Sequence, residues 1–338
     1  MKFNLVYSLG VILSAVVLST APVQAQVEFT NGDGNDLYLD TLNWSSFALP
    51  ATSNGQDAQI DDGAAVNYVA GPDLVISNGG ELEITSGSFT ETVGPAYVQL
   101  GEQGSGSSTG GGTILVDGGT YNQGTDSAGP FNITGTNNLF KITAGAANFN
   151  ASFALNVGLT YTQTGGIVTT GGEFDFNYLN SGTISGGTLN TTLITGQNKS
   201  TTTASFNVSG GKINLSNATG IYAPGPTQYL NFTLGSTGDV SFNGGDSLGT
   251  VEGFITSGGI EYNNTVDSSA FTLDGLGALS SDFLITGVTD PVTSSQTDYQ
   301  VTLNPVLLAA VPEPSTYLMM GLGLLVLIGY RKRFSVLG

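Results

Sequence analysis

Between residues 27 and 305 the chain alternates over short stretches and shows no helical stripes. Leu74-Val75-Ile76, Glu81-Leu82-Glu83-Ile84, Thr113-Ile114-Leu115-Val116, Lys212-Ile213-Asn214-Leu215 and Tyr229-Leu230-Asn231-Phe232-Thr233-Leu234 are β-rich runs. Most place an apolar residue at every second position, the period of a strand buried on one face. No helix-period pattern extends far enough to predict a helix. Stretches of Gly, Asn, Ser and Thr separate the runs, as expected of turns between strands.

A Gly-Gly pair, one variable residue and an apolar strand recur along this region. Examples are Asn78-Gly79-Gly80-Glu81-Leu82, Asp117-Gly118-Gly119-Thr120-Tyr121, Ser185-Gly186-Gly187-Thr188-Leu189 and Ser209-Gly210-Gly211-Lys212-Ile213. The pairs beginning at Gly171, Gly186, Gly210, Gly244 and Gly258 are 15, 24, 34 and 14 residues apart. That irregular repeat falls in the range of a solenoid coil. Glycine permits the sharp bends between flat strands, and each coil buries its inward residues only against its neighbours. The pattern therefore predicts an all-β chain, a right-handed parallel β-helix or solenoid over 71–280, with a β-sandwich as the alternative. Residues 26–70, which hold the only tryptophan, Trp44, are expected to form an N-terminal β cap. Asp282-Phe283-Leu284-Ile285-Thr286 and Tyr299-Gln300-Val301-Thr302-Leu303, separated by the turn signal Asp290-Pro291, are expected as capping strands within 281–310.

Both ends are hydrophobic. Met1-Lys2, an apolar run from Leu5 to Leu18 and the small residues of Ala21-Pro22-Val23-Gln24-Ala25 have the three parts of a secretory signal, cut after Ala25. At the other end, Thr316–Tyr330 is apolar and is followed by Arg331-Lys332-Arg333. This predicts a transmembrane helix whose basic stop keeps the C-terminus in the cytoplasm. Just before it stands Val311-Pro312-Glu313-Pro314-Ser315-Thr316, whose prolines resist helix and hold an extended segment.

A short Pro-Glu-Pro motif, an apolar span and a basic tail, at the end of a chain with a signal segment, resemble the PEP-CTERM sorting domain of Gram-negative bacteria. The resemblance covers residues 311–333 of a tail segment, 311–338, and implies processing by an exosortase-type membrane protease after a transient stay in the inner membrane. It implies delivery to the cell surface or the extracellular space. The glycine-rich body resembles in style the autotransporter-like repeat bodies attached to such tails.

Composition narrows the chemistry. The chain has 26 Asp plus Glu, seven Lys plus Arg, no His and no Cys. Between Gln26 and Ala310 the only basic residues are Lys141, Lys199 and Lys212. Three scattered lysines cannot neutralise a phosphate backbone, so nucleic acid is excluded as a partner. Without His or Cys there is no Ser–His–Asp or Cys–His catalysis, no disulfide and no zinc site of the usual ligands.

A hard cation is the metal class left. Asn31-Gly32-Asp33-Gly34-Asn35-Asp36-Leu37-Tyr38-Leu39 fits eight of the nine positions of a calcium-binding nonapeptide repeat, with Asp33 and Asp36 as candidate Ca²⁺ ligands. Such sites form between stacked copies and this chain has one, so a surface turn is the competing reading. Asp61-Asp62 and Glu173/Asp175 are the close carboxylate pairs, and Gly101–Gly106 is a glycine-rich loop without the lysine of a phosphate site.

These observations favour an exported, non-catalytic structural protein of the surface or matrix, associated with exopolysaccharide. Two other classes stay open: a polysaccharide lyase or hydrolase on the same scaffold, and a self-assembling fibre subunit or adhesin, suggested by weakly charged strands such as Phe131-Asn132-Ile133-Thr134.

Overall fold

The computed structural model describes residues 26–69, 73–91, 98–101, 111–123, 132–133, 137–154, 158–176, 181–195, 204–217, 221–222, 228–273, 277–289 and 297–305. The expected signal segment, the expected sorting motif and the apolar C-terminal segment lie outside these residues.

The body is a β-solenoid built from parallel ladders. The first ladder runs from Val27–Glu28 through Ala58–Ile60, Glu81–Ile84 and the leading halves of Thr113–Gln123 and Asn138–Phe149. It continues through Leu159–Gln163, Ser181–Thr191, Ala204–Leu215 and Gln228–Phe232 to Ile260–Tyr262. The second ladder starts at Ala65–Tyr68 and Ser88–Glu91, takes the trailing halves of the long strands with Ile167–Thr170 between them, and ends at Asp239–Phe242. The third side is narrower: Leu74–Ile76, Val98–Leu100 and Asn132–Ile133 form one sheet. Phe153–Ala154, Phe174–Asp175, Ile194–Thr195 and Ile221–Tyr222 form another. Parallel pairing of strands from successive coils rules out the β-sandwich, whose sheets are antiparallel.

Alternation places one residue in two inside the coil, and those residues stack. Leu82, Ile114, Phe140 and Tyr161 are successive in-register neighbours although 32, 26 and 21 residues separate them. Coil length therefore varies while the strands within each ladder keep register. Aromatic rings dominate the interior: Phe140 and Tyr161 stack at 6.1 Å, Phe149 and Phe153 at 4.1 Å, and Phe174 meets Phe206 edge-on at 5.4 Å. Such pairs add roughly 0.5–1.5 kcal/mol each beyond their buried area.

The glycine pairs serve all three corners. Gly118-Gly119, Gly165-Gly166, Gly186-Gly187 and Gly210-Gly211 lie between the first and second ladders and sit on one another. A Cβ on Gly187, at φ +76°, would collide with the carbonyl oxygens of Gly165 and Gly166 in the coil below. Gly171-Gly172 instead turns the chain from the second ladder to the third side, and Gly79-Gly80 from the third side to the first ladder. The irregular spacing seen in the sequence comes from counting the three corners together.

Two features depart from expectation. The ladders already include Ala58–Ile60 and Ala65–Tyr68, inside the segment expected to be only a cap. A helix, Leu248–Thr256, also occurs where none was expected. Ser247 caps it by accepting from the Thr250 N–H at 3.1 Å, and only Val251 and Ile255 are buried, so its period is too brief to read. At the C-terminal end the expected strands are Phe283–Thr289 and Thr297–Leu303, paired antiparallel. Thr297–Leu303 also pairs antiparallel with Asp239–Phe242 and closes the second ladder.

Candidate functional site

The nonapeptide-like loop is held by its own amides. Asn31 Nδ2 donates to Asp36 Oδ1 at 2.7 Å, and the Asp36 N–H returns to Asn31 Oδ1 at 3.1 Å. Asn35 Nδ2 donates to Asp33 Oδ2 at 3.1 Å and to Asp40 Oδ2 at 2.7 Å. The buried Asn43 ties the loop together, accepting from the Asp33 N–H at 3.0 Å and donating to Asn35 Oδ1 at 2.6 Å. Beneath it, Trp44 Nε1 donates to the Tyr38 carbonyl at 2.7 Å. Asp33 and Asp36 thus face asparagine amides rather than one another, and no group of three or more acidic side chains among the described residues could hold a metal.

The other carboxylate pairs sit apart. Asp61 and Asp62 are exposed in a turn, where Asp62 Oδ1 accepts from the Ala64 N–H at 2.9 Å. Glu173 and Asp175 flank the buried Phe174 on the outer side of the coil, and Glu173 Oε2 accepts from Thr195 Oγ1 at 3.2 Å.

Stacking assembles an acidic group that spacing alone conceals. The Glu81 N–H donates to Asp57 Oδ1 at 3.1 Å, and Glu83 Oε2 accepts from Gln26 at 2.8 Å and Gln59 at 2.9 Å. Burial, reinforced by the charges of Glu83 and Asp57, pushes the Glu81 carboxyl above its usual range. The alternation Glu-Leu-Glu-Ile puts Glu81 and Glu83 on one side. Nothing in the sequence says that Asp57, one coil away, joins them.

Three further carboxylates are withdrawn from water. Burial raises Glu91 to about 7 and Asp246 to about 6, and also lifts Glu261. Asp267 behaves oppositely. Burial opposes its charge but is outweighed by hydrogen bonds, among them those from the Ser269 N–H at 2.9 Å and the Asp282 N–H at 3.1 Å. It is therefore held below the usual range.

The outer faces differ in character. The first ladder turns Glu81, Glu83 and Lys141 outward before a shorter run of Thr, Ser and Asn, whereas the second carries columns of Thr and Asn without a charge as far as Asn190. In those columns Asn122 Nδ2 donates to Thr90 Oγ1 at 3.2 Å, Asn148 Nδ2 to Asn122 Oδ1 at 2.9 Å, and Asn214 Nδ2 to Asn190 Oδ1 at 2.8 Å.

Residues 310–333 match the family model of the PEP-CTERM protein-sorting motif. The chain carries a PEP-CTERM sorting motif. Its core, Pro312-Glu313-Pro314, and the stop Arg331-Lys332-Arg333 fall within the matched residues, as do Val311, Ser315 and Thr316. The PEP-CTERM motif is the sorting signal recognised by exosortase, a membrane protease, and implies an exported protein sorted to the cell envelope. No curated protein and no solved structure matches the chain. Among the described residues no helix is long and apolar enough to cross a membrane, and Thr316–Tyr330 lies outside them.

Proposed function

We propose that this PEP-CTERM protein is a non-catalytic structural component of the cell surface or extracellular matrix, associated with exopolysaccharide. The signal segment ending at Ala25 starts export. The apolar segment 316–330, stopped by Arg331-Lys332-Arg333, tethers the chain to the inner membrane while exosortase acts at the motif. The observation that carries this reading is the union of a sorting motif at 310–333 with a stacked solenoid. A solenoid presents long outer faces on a rigid frame, suited to contact with an extended polymer.

The carboxylates support a structural role. Those that stacking brings together are bound to glutamine, threonine or backbone groups, not set across an open cleft as an acid and a base. The chain's lack of His and Cys narrows the catalytic alternatives further. Ca²⁺, if it acts, bridges acidic rods or joins them to acidic glycan from outside.

Fractionation of the native host tests this reading. The mature protein is expected in the polysaccharide fraction, to be released by digesting the glycan, and to produce no new reducing ends or unsaturated products from neutral or uronic-acid glycans. Turnover of either glycan class overturns it in favour of an enzyme. Thioflavin-positive fibres from the purified protein favour a fibre subunit.

A further inference from the structure

Among the described residues the second ladder presents the longest uncharged outer face, six strands against the four of the first ladder from Leu159–Gln163 to Gln228–Phe232. From Ala65–Tyr68 to the 188–191 segment its outward positions hold only Ala, Ser, Thr, Ile and Asn. The chain has a formal net charge of −19, so an uncharged stretch of this length is set apart from its surroundings. It ends where Lys212 and Asp239 stand in register on the next strands. At the usual strand spacing of about 4.8 Å, the neutral stretch runs roughly 24 Å along the solenoid axis, as two columns about 7 Å apart. The amides are oriented: Asn148 donates one N–H to Asn122, and Asn122 in turn donates to Thr90. Each such asparagine keeps a further N–H and lone pair for a ligand.

The geometry points to this face as the binding surface for an uncharged, polyhydroxylated chain, a neutral glycan lying along the solenoid axis. The inference rests on the matrix role proposed above and names its surface and the charge class of its partner. Three observations select that chemistry. A polyanion is repelled by the chain's negative charge and meets no Arg or Lys on this face. A polycation finds no carboxylate there and would be drawn to Glu81 and Glu83 on the first ladder. A second copy would bury too little. A patch of roughly 13 Å by 29 Å is under about 400 Å², against about 800 Å² per partner in a stable interface. A neutral polyol needs neither charge nor a wide footprint. Repeated amide and hydroxyl groups at a fixed spacing supply donors and acceptors to successive sugar hydroxyls, and the rigid ladder orders them before binding.

The test is affinity electrophoresis of the full-length chain, in detergent, through gels containing dextran, soluble β-glucan, polygalacturonate or chitosan. Thr120→Arg and Thr188→Arg place bulky side chains on the neutral face without touching the core. Thr160→Arg does the same on the first ladder and serves as the control. The expected result is retardation by a neutral glycan, weakened at least tenfold in T120R/T188R and unchanged in T160R, with circular dichroism and melting unchanged in all three. Equal retardation of all variants overturns the assignment of the face but leaves the matrix role standing. Retardation by polygalacturonate or chitosan alone overturns the charge class. No retardation by any glycan overturns both the surface and the matrix role. A wild-type dimer converted to monomer by T120R/T188R assigns the face to a second copy and overturns the proposal.

Discussion

At the N-terminal end, one irregular segment meets the outer edge of every ladder. The Ser45 N–H donates to the Glu28 carbonyl at 2.9 Å on the first ladder, and on the second Asn67 is bracketed by the Asp36 carbonyl and the Tyr38 N–H at 2.7 and 3.0 Å. Thr52 Oγ1 donates to the Val75 carbonyl at 2.6 Å on the third side. At the C-terminal end the same task falls to regular elements. An antiparallel meander continues the second ladder, and Phe254 of the helix stacks on Phe242 at 5.5 Å. Both ends keep strand edges from templating further pairing. They differ in what they depend on: the first cap hangs on a buried ring and a few amides, the second on a small sheet with its own pairing.

Removing the anchoring ring at each end separates the two caps. Trp44→Ala and Phe283→Ala should each destabilise by about 3–5 kcal/mol, the usual cost of deleting a buried aromatic. Coils contact only their neighbours, so W44A should first expose the amides of Glu28 and Asn67 to hydrogen exchange, and F283A those of 283–303. Simultaneous loss at both ends in either variant would mean that the caps are not independent.

A second prediction concerns Asp267, which locks the C-terminal cap by accepting from Ser269, Ser281 and the Asp282 N–H. Asp267→Ala leaves these half-buried donors without their acceptor and should cost about 1–2 kcal/mol in chemical denaturation. Because its folded carboxyl is held low, its contribution is present above the ordinary aspartate range and disappears as pH falls through the lowered value.

The raised carboxylates carry the opposite sign. Glu91, at about 7, and Asp246, at about 6, bind protons more readily folded than unfolded. Their contribution is fully present below the unfolded values and is lost as pH climbs, from 4.5 to about 7 for Glu91 and from 3.8 to about 6 for Asp246. The melting temperature should therefore be higher at pH 5 than at pH 8, and Glu91→Gln should flatten that dependence. A higher melting temperature at pH 8 than at pH 5 would contradict the burial of these groups. The smallest effect belongs to the helix cap: Ser247→Ala should cost about 1 kcal/mol and leave the N-terminal amides protected.

Much of the coil was legible because a strand with one buried face must alternate, as at Glu81–Ile84 and in Thr113–Gln123. The terminal strands around Phe283 and Val301 were readable for the same reason. Contacts between coils were not. Coil length changes from 32 to 21 residues, so no fixed offset links Asp57 to Glu81 or aligns Asn122 with Asn148. The glycine pairs pointed to corners but not to which corner, because Gly171-Gly172 and Gly186-Gly187 look alike in one dimension. Glu91 holds an inward-facing register position that its charge argues against. The sorting tail was the reverse case, recognisable from its sequence alone and independent of the fold.

Sorting of the solenoid by its tail is read from the intact mass and cellular location of the native protein, in wild type and with Pro312-Glu313-Pro314 replaced by alanines. A mature species lacking the signal segment and the tail is expected outside the inner membrane and is lost when the motif is replaced. Full-length protein held in the membrane in both strains would contradict it.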